Sequence, residues 1–469
     1  MWTTKAKTQS ELNIVMLNVV LVNWRLGGPA YPKALRLGVP ALLLFLVSCG
    51  PSTQFYKDVD VYAAEGKYDQ AIEEVRKNEK GYGDKSTVLF KLDLGALYHY
   101  AGETDSSNKY LSAAEKEIED LYTESVSLKV LSFILNDNVL PYDGEDFERV
   151  FVNVLLALNY ASKGMDEDAL VEARKVDLKL KEYSRHYDGK NKYQEDAFIR
   201  YVAGVLYENE GEVNDAFISY KKSFETYQTF EKEYGTPAPF FLVDDLLRTA
   251  TSLSFDEEAA TYGELGGVLP PDKGMGSVLV VTYVGKGPIK VEERPTVSIP
   301  DSSGTLHTFQ IALPKFVRRQ NISRTYTITV ISNSDTMQNR TVLAEDINAI
   351  AEKSLADRLT LIYLKSGGRA LVKFLAAEKA KKDIKKDGDD KIKNFLSSLA
   401  IDLVVGASEQ ADTRTWRTLP AGIQLSRMWL RPGAYSFSVN SSDGGYTLRN
   451  LSVDVRAGKT AFVLVDDLR

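Results

Sequence analysis

"YASKGMDEDA", Tyr160 to Ala169, decides how the first half of this chain is read. It sets a tyrosine, then a glycine four residues on (Gly164), then a small residue nine on (Ala169). The same spacing returns at Tyr62, Gly66 and Ala71, at Tyr98, Gly102 and Ser107, and at Tyr207, Gly211 and Ala216. Around these segments, residues 55–230 repeat apolar side chains at a period of roughly 3.6, so they are predicted helical with turns at glycine. A hairpin of two helices accounts for the trio. Glycine takes the positive φ that ends the first helix. The aromatic fills the space between the paired helices, and the small residue sits where the second helix crosses the first closely. A further small residue stands three before the tyrosine in three copies (Gly95, Ala157 and Gly204).

Four copies at one spacing resemble the tetratricopeptide repeat. The usual early tryptophan is missing. Gly102 and Gly164 stand much further apart than one repeat, so the units are divergent and carry inserts such as 121–147. An irregular helical bundle is the alternative architecture. In either case stacked hairpins imply a concave surface suited to a peptide or partner protein. The tyrosine and small positions are expected in the core rather than in a site.

The second half differs in kind. A helical stretch from Phe240 to Tyr262 closes the repeats, and "GELGGVLPPDKGMG" (Gly263 to Gly276) reads as a linker. Beyond it, Val278 to Val284 and Thr325 to Ile331 are predicted strands, and residues 344–406 a helical region. The chain ends in Tyr435 to Val439, Leu451 to Val455 and Ala461 to Val465, with turns at Asp443-Gly444-Gly445 and Ala457-Gly458-Lys459. Strands at short regular spacing predict a small antiparallel sheet or sandwich. The expected fold class is α+β. A solenoid of tetratricopeptide-like helical hairpins spans 55–262, a linker 263–276, and a mixed domain with a small β-sheet or sandwich and a helical segment 277–469.

Charge divides the same way. The chain holds 58 Lys and Arg against 65 Asp and Glu, a net of −7. Residues 49–262 carry 24 basic and 42 acidic side chains, and residues 263–469 carry 29 and 22. Part of the basic excess is "EKAKKDIKKDGDDKIK" (Glu378 to Lys393), a solvated helix end or a face turned to something anionic. Ile392, Phe395, Leu396, Leu399, Leu403 and Val404 share one helical face, as domain core or as a membrane-surface or partner helix.

A single cysteine excludes an internal disulfide and any multi-cysteine zinc site. The three histidines, His99, His186 and His307, are scattered, so neither a metal nor another cofactor is expected. The cysteine sits in "LFLVSCG" (Leu44 to Gly50). Lys33 and Arg36 precede the apolar stretch Leu37 to Val47, which Gly38 and Pro40 interrupt. A short apolar run after a basic region is a secretory signal rather than a membrane span. The residues before Cys49 resemble the lipobox of bacterial lipoproteins. That resemblance implies a diacylglycerol on the Cys49 thiol and cleavage between Ser48 and Cys49. Several acyl chains, at about 0.8 kcal/mol per buried CH2, would then hold the chain on a membrane. A buried core cysteine is the alternative. Residues 1–48 are thus read as an upstream extension and lipoprotein signal peptide, and 49–54 as a tether. Gly50 resembles the outer-membrane sorting pattern, which favours the outer over the inner membrane. The expected place is the cell envelope, facing the periplasm, away from nucleic acid.

"LPYDGEDFERVFVNVLLALNYASKGMDEDAL" (Leu140 to Leu170) and "EQADTRTWRTLPAGIQLSRMWLRPGAYSFSV" (Glu409 to Val439) together resemble a widespread family of bacterial lipoproteins with tetratricopeptide-like repeats. The resemblance brings no catalytic residues. Arg414, Trp416 and Arg417 form its most distinctive cluster. They read as a bidentate carboxylate or sugar site beside an aromatic, or as an anchor joining sheet to helices. "AGKT" (Ala457 to Thr460) lacks the glycine a phosphate loop needs at Val453 and reads as a hairpin turn. No G-x-S-x-G or H-E-x-x-H occurs. The expected function is a non-enzymatic scaffold for an envelope protein. The alternative is a binder of envelope glycan or peptidoglycan through the C-terminal domain.

Overall fold

Helices fill the first half of the chain because its apolar positions recur at helical spacing, and glycines cut them into hairpins. The computed structural model describes residues 54–366 and 410–469, except 135–137, 139, 187–190, 192, 271, 273, 301–305, 320–324, 332–335, 361, 364–365 and 443–446. Ser48 and Cys49, the Glu378–Lys393 run, the apolar face from Ile392 to Val404 and the Asp443–Gly445 turn lie outside the described residues.

The helices are α1 (Tyr56–Ala64), α2 (Tyr68–Lys77), a short α3 (Glu79–Tyr82), α4 (Thr87–Ala101), α5 (Thr104–Ile134), α6 (Asp146–Ser162), α7 (Asp166–His186), α8 (Ala197–Asn209), α9 (Val213–Tyr234), α10 (Phe241–Ser252) and α11 (Asp256–Glu264). They pair as α1/α2, α4/α5, α6/α7, α8/α9 and α10/α11. At the first four turns Gly66, Gly102, Gly164 and Gly211 adopt φ of 69°, 77°, 70° and 80°. Each glycine N–H donates to the carbonyl three residues back. The next N–H reaches back to the carbonyl of Tyr62, Tyr98, Tyr160 or Tyr207, at 2.8–3.0 Å. These two bonds satisfy carbonyls that the helix end leaves open, a Schellman arrangement. The spacing that opens the sequence therefore encodes a helix stop.

A fifth turn has the same bonds without the same residues. Phe255 N–H donates to Ala250 O (2.9 Å) and Ser254 N–H to Thr251 O (3.2 Å), with Ser254 at φ 57°. Alanine stands for the tyrosine and serine for the glycine, so the segment read as one helical stretch is a hairpin.

The small positions Ala71, Ser107, Ala169 and Ala216 are fully buried. A Cβ on Gly204 would stand 2.4 Å from the Tyr220 ring, and one on Gly95 2.6 Å from Leu111, which is how closely the helices cross. The tyrosines all belong to or pack against the helical core, to different depths. Tyr98 is buried, but Tyr62, Tyr160 and Tyr207 are half-buried. The rings of Tyr98 and Tyr207 also make contacts between hairpins. Arg76 of α2 lies 5.6 Å over Tyr98, and Arg174 of α7 lies 5.4 Å over Tyr207 and donates to its hydroxyl.

Strands follow α11. One sheet has the order β12-β1-β9-β8, from β1 (Gly276–Lys286), β8 (Val342–Asp346), β9 (Pro420–Leu430) and β12 (Thr460–Asp467). A second has the order β11-β10-β6-β7, from β6 (Tyr326–Ile331), β7 (Thr336–Arg340), β10 (Gly433–Ser441) and β11 (Thr447–Val455). Two ladders complete the set. One pairs β2 (Ile289–Glu293) with β5 (Leu313–Val317), the other β3 (Thr296–Pro300) with β4 (Leu306–Gln310).

Four details correct the sequence reading. The region expected helical from 344 remains strand to Asp346, and the helix starts at 347. β9 and the strands between 289 and 317 had not been expected. β12 pairs with β1 in parallel, Ser277 opposite Thr460. Gly458 does turn the chain (φ 67°), but β11 and β12 belong to different sheets, so this turn crosses between layers rather than closing a hairpin ladder.

Side chains of β1 alternate between two cores. Leu279, Val281 and Tyr283, with Ile423, Leu425 and Phe462, join the helical core. Val278 and Val280, with Met428, Leu430, Val463 and Val465, meet Ile328, Val330, Phe437 and Val439 of the second sheet. The first sheet is thus covered on both faces, and β1 reads as an unbroken apolar run for that reason. The described residues belong to one compact unit of three layers: helical hairpins, a central sheet and an outer sheet. The fold class is α+β, with tetratricopeptide-like hairpins.

Candidate functional site

Arg414, Trp416 and Arg417 lie in the segment leading into β9, where the central sheet meets the helices. Trp416 is buried. Its indole N–H donates to Thr418 Oγ1 (2.9 Å), and its backbone N–H donates to Glu148 Oε1 (2.7 Å). Glu148 also accepts from Thr415 Oγ1 (2.7 Å), and Tyr142 donates its hydroxyl to the same carboxylate. Burial pushes the Glu148 carboxyl up, against these donors. The Arg414 guanidinium pairs with Asp412 (2.6 Å), donates to the carbonyls of Lys85 and Leu140 (3.0 Å each), and lies 5.2 Å over the Tyr142 ring. Arg417 lies 4.5 Å over Tyr56 and 3.4 Å from Asp60. The three residues tie sheet to helices and offer no exposed ring to a sugar.

Two further joints were invisible in the sequence because their members are far apart in it. Arg427 of β9 is buried between Asp245 and Tyr201 (3.1 Å), with Glu208 at 3.5 Å. Arg248 pairs with Asp245 (2.9 Å) and Glu208 (2.7 Å), and both guanidiniums lie over Trp429, at 4.9 and 4.6 Å. Two cations meet two carboxylates, so the cluster is closed on itself. His99 is held between Asn159 Oδ1 and the Tyr283 hydroxyl, both at 2.7 Å. Asn159 donates its amide to Ser107 and Asn108, so its oxygen takes the Nδ1 proton and Nε2 accepts from Tyr283. Burial pushes this imidazole down to about 4, and it is neutral. A strand recognised at 420–430 would have flagged Arg427 as a charge on a buried face. Nothing local marks the others.

With these joints, the face shared by α4, α6 and α8 is covered by the chain's own sheet. Tyr100 donates to Thr418 O (3.0 Å), and Asn209 Nδ2 donates to Thr460 O (3.0 Å). What stays open is a groove of about 680 Å3 between the C-terminal ends of those helices and strands β11 and β12. At one end Asn209 Oδ1 also accepts the Thr460 N–H (2.7 Å), and the Lys459 ammonium donates to the Asn209 carbonyl. Asp166, at the start of α7, lines this end. It is 9% exposed, and its Oδ1 has no hydrogen-bond partner. Burial pushes its carboxyl up, and a hydrogen bond with Asn209 opposes the rise. At the other end Tyr68 donates its hydroxyl to Asp466, and Arg449 donates to Leu464 O (3.2 Å).

A smaller cavity of about 230 Å3 lies beside Arg414. Its cations are matched: Arg149 with Asp143 (2.6 Å), Lys290 with Glu145 (2.6 Å), and Arg358 with Glu145. Among the described residues no group of three or more His, Cys, Asp or Glu is placed to hold a metal ion. No described helix is long and apolar enough to cross a membrane.

No protein-family model matches the chain, and no curated protein matches it. Solved structures similar to part of it include MamA (AMB-1), at 18% identity and a TM-score of 0.29, over 45% of this chain and 86% of that one. The apo form of RapI shares 15% identity at a TM-score of 0.34, over 55% of this chain and 65% of its own. BtubC (BKLC) from P. vanneervenii shares 14% at 0.31, over 57% of this chain and 96% of its own. At such scores these likenesses carry no argument about function.

Proposed function

We propose that this chain is a non-enzymatic scaffold that binds another protein, anchored through lipid on Cys49 to a bacterial envelope membrane and facing the periplasm, with the outer membrane favoured. The observation that supports binding is the open groove beside the helical hairpins. Stacked hairpins present extended surfaces for partners. Here the sheet covers the face of the first helices, which moves a partner to the groove and the outer helices. The polar ends of that groove suit hydrogen bonding to a polypeptide. The anchor rests on the basic, apolar and small residues that precede Cys49.

Replacing Cys49 by serine tests the anchor. Cells expressing the wild type should hold it in the membrane fraction as a cleaved, acylated chain, by mass spectrometry. Cys49→Ser should be soluble or uncleaved. Processing and membrane retention unchanged in Cys49→Ser would remove the anchor from this reading.

A further inference from the structure

We infer that the outer edge of β12 accepts an extended polypeptide segment as an added strand, and that this segment carries a lysine or arginine where it passes Asp166. β12 is one of the two edge strands of the central sheet among the described residues. It pairs in parallel with β1, and Ser277 N–H donates to Lys459 O (2.9 Å). In that register the odd-numbered residues of β12 turn their backbone to β1. Thr460, Phe462, Leu464 and Asp466 turn theirs to the open side.

The side chains already on that edge agree. Asn209 bonds both the N–H and the C=O of Thr460, and Arg449 reaches Leu464 O. The carboxamide of Asn209 imitates one peptide unit of a neighbouring strand, at the point where such a strand would start. From Phe462 onward no ladder among the described residues continues it, and the groove runs alongside.

Asp166 supplies the second observation. Its Oδ1 is unpartnered and buried, and it lines the groove next to Asn209. A buried acceptor in that state calls for a donor, and an incoming ammonium or guanidinium would give it a hydrogen bond and add to the positive charge of Lys459 at that end. From Thr460 to Asp466 the edge spans about 20 Å at roughly 3.3 Å per residue, the length of a six- to seven-residue segment. An added strand would turn alternate side chains toward the helices and the outer sheet, so alternate apolar residues suit it. The inference rests on the scaffold reading for its polypeptide ligand and is independent of the lipid anchor.

The test uses the full chain and two synthetic heptapeptides of alternating valine and threonine, one starting with lysine and one with glutamate. Hydrogen exchange should be faster at Phe462 and Leu464 than at Val463 and Val465 in the free protein. The lysine peptide should slow exchange at Phe462 and Leu464. Leu464→Pro removes an outward N–H while sparing the β1 ladder, and should weaken that peptide roughly fivefold. Asp166→Asn should weaken the lysine peptide alone and erase the preference over the glutamate peptide, which keeps the proposal testable if the proline variant does not fold. The inference is overturned by uniform protection of 462–465 in the free protein, by no binding of the lysine peptide, or by binding that leaves exchange at these amides unchanged. A partner that crosslinks to the outer helices with the edge unaffected would sink the inference and leave the scaffold reading standing.

Discussion

Glu345 is fully buried beside the irregularity in β8, and neither carboxyl oxygen has a hydrogen-bond partner among the described residues. Burial first, then the charges of Asp196 and Asp346, push this carboxyl well above the usual range. Asp196 is itself pushed up to about 6 by burial. A carboxyl raised in this way keeps its proton in the folded state where the unfolded chain has lost it. Its contribution is favourable at low pH and declines as pH climbs above the unfolded value of about 4.3. Glu345→Leu is expected to raise stability at pH 7 by roughly 1–3 kcal/mol. It should also flatten the loss of stability between pH 5 and pH 7, as read from urea midpoints. An equal loss at both pH values would show that the side chain's contacts outweigh its charge. At this scale the sequence singles out Arg414, Trp416 and Arg417, and the structure places all three where the central sheet meets the helices. The sequence is silent on their roles, because Lys85, Glu148 and Tyr56, which define them, stand hundreds of residues away.

Among elements, the hairpin turns were legible because one backbone conformation demands glycine and so leaves a mark at fixed spacing. The fifth escaped because Ser254 holds the same φ without that mark. A left-handed conformation costs an ordinary residue roughly 1–2 kcal/mol, partly offset by the greater freedom glycine loses on folding, about 0.5–1 kcal/mol. Ser254→Gly should therefore stabilise the protein by up to about 1 kcal/mol, seen as a higher midpoint in thermal unfolding. An unchanged or lower midpoint would mean that the serine side chain stabilises this turn. Strands were legible where one face is solvated, as in the alternation of β6, or where a run of Val and Leu is unmistakable, as in β1. β9 was not. Its sequence "PAGIQLSRMWL" is buried on both faces, and buried Gln424, Ser426 and Arg427 interrupt any apolar pattern.

On the scale of the whole molecule, the helices and the central sheet are joined by buried polar links as well as by apolar packing. The charged cluster at Arg427 is the clearest. Arg427→Met would leave Asp245 and Glu208 buried with Arg248 as their remaining cation, at an expected cost of about 3–5 kcal/mol. Combining it with Asp245→Leu should recover part of that loss in urea unfolding. Strict additivity of the two losses would show that the residues do not act as a unit.

The parallel pairing of β1 with β12 has a consequence for biogenesis. Ser277 and Thr460, whose hydroxyls meet at 2.7 Å, are separated by 183 residues. At about 5–20 residues per second, β1 emerges from the ribosome roughly ten to forty seconds before its neighbour exists. Through that interval the helices lack the part of their covering that Phe462 and Leu468 supply, so an incomplete chain exposes apolar surface. A nonsense codon upstream of Thr460 would yield a product destined for inclusion bodies or proteolysis.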